Sequence, residues 1–140
     1  PYTMFIGSGA LWGETILFSM CILEEMQWKR TRYITSADFF HGTLELVEPG
    51  VPVFLFMGED ECRKLDERAR AFLTRGVTGD TDINIIDTAE FAIPGLDDDF
   101  RVIVSPWILS SLVTDRLAAY YETVTKHNLN YRRYYHQFDY

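Results

Sequence analysis

In the run Ala37-Asp38-Phe39-Phe40-His41-Gly42 an imidazole stands between two phenylalanines and a glycine. With an ordinary pKa of about 6.5 it can give or take a proton near neutrality, so the turn is a candidate for acid–base chemistry; packed under the two rings it is a structural histidine instead. Glu25 closes an apolar stripe in which Phe18, Ile22 and Glu25 fall at i, i+4 and i+7, one helical face. A half-buried carboxylate there is a candidate general base, because burial raises its pKa toward the useful range; the alternative is the wet end of a helix. Gly7-Ser8-Gly9 lets a backbone approach a ligand and opens a helix N-terminus, which favours anions, but the third glycine of the dinucleotide fingerprint is missing. In the tail, Arg132 and Arg133 stand among Tyr134, Tyr135 and His136; such a group binds an anion or packs at a subunit interface, and the interface is the favoured reading, with some of these residues near a site. Glu59, Asp60 and Glu61 would cap a helix and repel a phosphate, so that loop reads as structural. Asp97-Asp98-Asp99 has no calcium-loop glycine and reads as solvated charge. No metal-ligand cluster is evident, and neither a metal nor an organic cofactor is expected.

These residues need a scaffold, and its pattern is strands alternating with helices. "YTMFIGSG" reads as a buried strand turning into a helix, "RTRYITS" as a second strand, "VPVFLFMG" as a third, "DINIIDT" as a fourth and "FRVIVSP" as a fifth. Between them lie "ALWGETILFSMCILEEM", apolar nearly all round and so expected to be well buried, a short helix in "HGTLELVEPG", and the amphipathic "DECRKLDERARAFLTRG". "WILSSLVTDRLAAYYETVTKHN" reads as a long final helix, and Gly76–Thr81 and Ile93–Asp99 read as loops. The alternation predicts an α/β fold, a three-layer sandwich around a five-stranded parallel sheet, whose ligands would sit outside the carboxyl ends of the strands.

At 140 residues the chain is one domain. Thirteen Lys and Arg against 21 Asp and Glu give a net charge of −8, which argues against nucleic acid as a partner. No apolar run nears the roughly 18 residues of a membrane span; "ILFSMCILEEM" is the longest, and no membrane partner is expected. Cys21 and Cys62 show no CxxC spacing and read as reduced thiols of a cytoplasmic protein. The chain opens Pro1-Tyr2-Thr3 with no initiator Met or signal peptide, and is expected to be the later part of a longer protein.

The stretch "SADFFHGTLELVEPGVPVFLFMGEDE", the helix end "LEEMQW" and the tail "HNLNYRRYY" together resemble the second sugar isomerase (SIS) domain of the phosphosugar isomerase superfamily, and within it the fructosamine-type deglycases. The resemblance covers essentially all 140 residues, so residues 1–140 are expected to form a single flavodoxin-like SIS domain, the C-terminal half of a two-domain protein whose first domain is not in this chain. In this superfamily a catalytic Glu ends a helix sixteen residues before a catalytic His, the separation of Glu25 and His41. The resemblance implies that Glu25 shuttles a proton between sugar carbons C1 and C2 and that His41 opens the ring. It places Gly7, Ser8, Gly9, Asp38 and Arg133 near the substrate, although the family often has Glu where Asp38 stands. It implies deglycation of a fructosamine (ketosamine) 6-phosphate to glucose 6-phosphate and a free amine. The alternatives are an aldose–ketose phosphosugar isomerase, or a sugar-phosphate-binding domain without turnover. A related synthase has a tail lysine that this chain lacks around His136-Gln137, which points to the deglycase branch. A homo-oligomer with its site at a subunit interface is implied, the His being able to come from the neighbouring chain, and the phosphate would be held by the first SIS domain.

Overall fold

Alternation along the strands decides the layering. In the computed structural model, which describes residues 1–140, the strands are β1 (Thr3–Ile6), β2 (Thr31–Ile34), β3 (Val53–Met57) and β4 (Ile83–Asp87). They form one parallel sheet in the order β2-β1-β3-β4, with Phe5 level with Tyr33 on one side and Phe54 on the other. Met4, Ile6, Val53, Leu55 and Met57 point to one face, where they meet Phe39, Ala69 and Leu73. Phe5 and Phe56 point to the other, where they meet Phe18, Ile22, Leu109 and Val113. Each face is covered by helices, so the central strands read as continuous apolar runs.

Helix α1 spans residues 9–26: a 3-10 turn over Gly9–Leu11, an α-helical turn over Trp12–Ile16, and a π-helical segment over Leu17–Met26. The buried hydroxyls of Thr15 and Ser19 donate to the carbonyls of Leu11 (2.8 Å) and Thr15 (2.6 Å), four residues back, where they compete with the regular ladder. Gln27 N–H then bonds the Ile22 carbonyl, five residues back. The helix buries one side and leaves Met20 exposed, so it is less enclosed than its all-round apolarity predicts. Helix α2 (Ser36–Phe39) is capped by Thr35, whose hydroxyl oxygen accepts from the Asp38 N–H, and a 3-10 turn follows at Thr43–Leu46. Helix α3 (Arg63–Leu73) packs on the α2 face of the sheet through Ala69 and Leu73.

The expected fifth strand is absent: "FRVIVSP" lies inside helix α4, Asp98–Thr125, and the sheet ends at β4. Asp97 caps this helix, its Oδ1 accepting from the Asp99 N–H at 3.0 Å. Ser105, Leu109 and Val113, four apart, are its buried stripe. Pro106 has no N–H for the Val102 carbonyl, and the Ser105 hydroxyl donates to that oxygen instead, at 3.1 Å. The membrane-span expectation also needs correction: α4 is 28 residues, with mean hydropathy 1.3 in its most apolar window, and is long and apolar enough to cross a membrane. In this fold one side of it is a layer of the core, covering Phe5, Phe18 and Phe56. Its outer side leaves Ile103 and Trp107 65% and 76% exposed.

Candidate functional site

The carboxyl edge of the sheet, where the sequence places Gly7, Ser8 and Gly9, is filled by the protein's own groups. Gly9 has φ +55, and the Asp60 carboxylate lies against it, accepting from the Ala10 N–H at 2.5 Å. The opening of α1 therefore holds an anion already, from the acidic loop read as structural. Ser8 is buried, and its hydroxyl oxygen accepts from the Ser36 N–H at 2.7 Å. Ser36 in turn donates its hydroxyl to Asp66, whose second oxygen accepts from the Gly58 N–H at 3.2 Å. The fully buried Asp66 thus ties together the loops that follow β1, β2 and β3, and burial pushes its pKa up to about 6 in spite of those two hydrogen bonds. Beside it Arg63 clamps Asp87 with two hydrogen bonds of 2.8 and 2.7 Å, which hold that carboxyl below the usual range.

The large cleft lies at the other edge, where β2 begins. It is an open hollow of about 740 Å³ between the end of α1 and the C-terminal tail. Glu25 lines it, with its side chain 30% exposed and its Oε1 2.9 Å from Arg132 Nε. Arg133 lines it too, its guanidinium 4.3 Å over the ring of Trp28. Trp28 ends α1 in the left-handed conformation, φ 52, and the Lys29 N–H closes the helix on the Leu23 carbonyl at 2.8 Å. A non-glycine residue held at positive φ is strained, and here the strain sets the indole at the cleft wall. Buried Gln27 fastens the tail: it donates to the His127 carbonyl at 2.7 Å and accepts from the Thr125 hydroxyl at 2.8 Å. Glu24 is occupied by the Thr31 hydroxyl at 2.5 Å.

His41 is not in this cleft. It sits in the exposed turn after α2, its N–H bonded to the Asp38 carbonyl at 2.8 Å, and the following Gly42 has φ +133, which side chains rarely adopt. Phe39 and Phe40 pack with Phe72 on the α2 face of the sheet, whereas Glu25 belongs to the helix on the opposite face, so one chain does not bring Glu25 and His41 together. Asp38 is exposed beside Thr35, at the same end as His41. The imidazole that adjoins the cleft within the chain is His127, edge-on to Trp28 with centroids 4.4 Å apart and its Nε2 buried without a hydrogen-bond partner. Of the predicted residues the structure thus joins Glu25 and Arg133, and sets Gly7, Ser8, Gly9, Asp38 and His41 elsewhere. Sequence reasoning missed Gln27 and Trp28; the one signal for them was that "LEEMQW" belonged to a matched motif.

No family model matches the chain. It is 33% identical over 136 residues to the fructosamine deglycase FrlB of Bacillus subtilis, which covers 95% of this chain and 39% of that protein. It is 37% identical over 116 residues to the fructoselysine 6-phosphate deglycase of Escherichia coli, covering 81% of this chain and 31% of that protein. The chain therefore spans well under half the length of these relatives. Among solved structures, a phosphosugar isomerase from Salmonella typhimurium superposes with a TM-score of 0.86 at 32% identity, over 99% of this chain and 42% of that one.

Proposed function

Starting from a chain that belongs to the phosphosugar isomerase superfamily as a sugar isomerase (SIS) domain, we propose that it supplies the proton-transfer base of a ketosamine 6-phosphate deglycase. The observation that carries this reading is Glu25 on the wall of an open cleft built by two of the matched motifs, "LEEMQW" and "HNLNYRRYY", in a chain a third identical to deglycases. The chain is one of two SIS domains, and the phosphate is held by the other. His41 protonates the ring oxygen as the cyclic hemiketal opens. Glu25 removes a proton from C1 to give the enaminol and returns it at C2. The resulting C1 imine adds water and separates into glucose 6-phosphate and the free amine. C1 and C2 are neighbours, so one carboxylate serves both transfers with little movement; help of this kind is worth about 10²–10⁴-fold in rate.

Because Glu25 and His41 lie on opposite faces of one chain's sheet, the reading requires His41 from a second copy, and hence at least a dimer. The outer side of α4, with Ile103 and Trp107, is where we place contact with another domain or copy. The free thiols of Cys21 and Cys62 suit a reducing cytoplasm. The name of the Salmonella relative favours a second reading, aldose–ketose isomerisation by the same two groups without amine release.

The test uses full-length protein. Glu25→Gln abolishes exchange of the substrate's C1 proton with D₂O; exchange at the wild-type rate removes Glu25 from the mechanism. Glu25→Gln and His41→Ala, each inactive, are then mixed and allowed to exchange subunits. A shared site in a two-fold dimer restores roughly a quarter of wild-type activity, since half the dimers are mixed and each carries one intact site. No recovery, with exchange verified, sinks the two-chain site; activity retained by His41→Ala alone shifts attention to His127.

A further inference from the structure

The cleft around Glu25 is cationic in an acidic protein. Lys29, Arg30, Arg132 and Arg133 line it against only two carboxylates, in a chain of net charge −8. Both carboxylates have partners: Glu24 accepts from Thr31, and Glu25 is paired with Arg132. Lys29, Arg30 and Arg133 take part in none of the four ion pairs of the structure. Arg133 is nevertheless not a loose surface charge, because its guanidinium is stacked on Trp28, which the strained end of α1 fixes in place. A planar donor fork pre-set on an aromatic ring, with two further uncompensated cations on the same wall, suits a carboxylate or another small anion.

We propose that this cleft binds a carboxylate on the amine portion of the substrate, so that the amine released is an amino acid, with Arg133 as its main ligand and Lys29 and Arg30 as supporting charges. The proposal rests on the reading of Glu25 as the base, because a sugar C1 beside Glu25 directs the attached amine along the same cleft. It names the class of compound selected: ketosamine 6-phosphates of amino acids over those of simple amines. The substrate phosphate is the other anion that could occupy the cleft.

The experiment compares two 6-phosphorylated ketosamines that differ only in a carboxylate, the ε-adduct of lysine and the adduct of cadaverine, in full-length wild-type protein and in Arg133→Leu. Preference is read as kcat/KM where amine is released and as calorimetric affinity where it is not. Wild type is expected to favour the lysine adduct by about 10- to 100-fold, the range of a hydrogen-bonded charge, mainly through KM. Arg133→Leu is expected to erase the preference while leaving the cadaverine adduct nearly unchanged, and Arg133→Lys to restore part of it. Because Arg133 is exposed and stacks only on the cleft wall, the fold does not depend on it. Equal handling of both adducts by the wild type overturns the proposal. So does an equal loss on both in Arg133→Leu, which assigns the arginine to their shared phosphate. A calorimetric preference for the lysine adduct without amine release upholds the carboxylate site and overturns the deglycase reading instead.

Discussion

Replacing Asp66 by Asn removes a titration buried at the meeting point of three loops. The native carboxyl has its pKa raised from 3.8 to about 6, chiefly by burial, with Asp60 adding to the rise and Ser36, Gly58 and Arg63 opposing it. The unfolded carboxyl returns to the ordinary value, so between about pH 4 and 6 the native state binds the extra proton. The contribution is therefore fully present below about pH 4 and is lost as pH rises through about 6. A shift of some two units corresponds to about 3 kcal/mol at most. Asp87 acts in the opposite sense: Arg63 holds its pKa down, so its contribution is present above the ordinary carboxylate range and lost as pH falls through the lowered value. Subtracting the variant from the wild type isolates Asp66, because Asp87 titrates in both. Urea unfolding followed by tryptophan fluorescence at intervals from pH 4 to 7.5 gives the two curves. The wild type should lose about 2–3 kcal/mol relative to Asp66→Asn across that range. Curves that stay parallel to within about 0.5 kcal/mol would show that Asp66 does not carry its proton into the folded state, and would refute the burial argument.

Two further outcomes test the anchoring of the site. Gln27→Leu leaves the His127 carbonyl without its buried donor, and should cost about 1–3 kcal/mol in denaturant unfolding while making the tail more susceptible to limited proteolysis; unchanged stability and cleavage would deny Gln27 its role as the fastener. Gly42→Ala and Gly13→Ala form a matched pair, since neither added methyl meets an atom within 4 Å. Gly42, at φ +133, should lose about 1–3 kcal/mol, whereas Gly13, inside α1, should gain about 0.4–1 kcal/mol, both read from urea midpoints. Equal effects would mean that backbone conformation is not what selects glycine before the Thr43–Leu46 turn.

Four strands and the amphipathic α3 were legible because the signals there are local. Val53–Met57 is apolar without interruption, as a strand covered on both faces must be, and α3 keeps its polar side to water. "FRVIVSP" was not legible in this way. A short β-branched run satisfies strand and helix patterns equally, and what decided it was the Asp97 cap together with the stacking of Ser105, Leu109 and Val113 against the sheet. Glu25 was found because a carboxylate ending an apolar stripe is unusual on chemical grounds alone. The three-residue turn Gly7-Ser8-Gly9 looked open to a ligand because nothing in its own sequence shows that Asp60, fifty residues away, fills it. The amino-acid sequence by itself thus determined the alternation of strands and helices and the chemistry available at Glu25 and His41. Only the tertiary structure decided which groups share a cavity: Arg132 and Arg133 reach Glu25 and Trp28 across about a hundred residues because Gln27 clasps the far end of α4, while the sheet separates Glu25 from His41. Side-chain type is local information, but proximity across a sheet depends on how the helices cover its two faces.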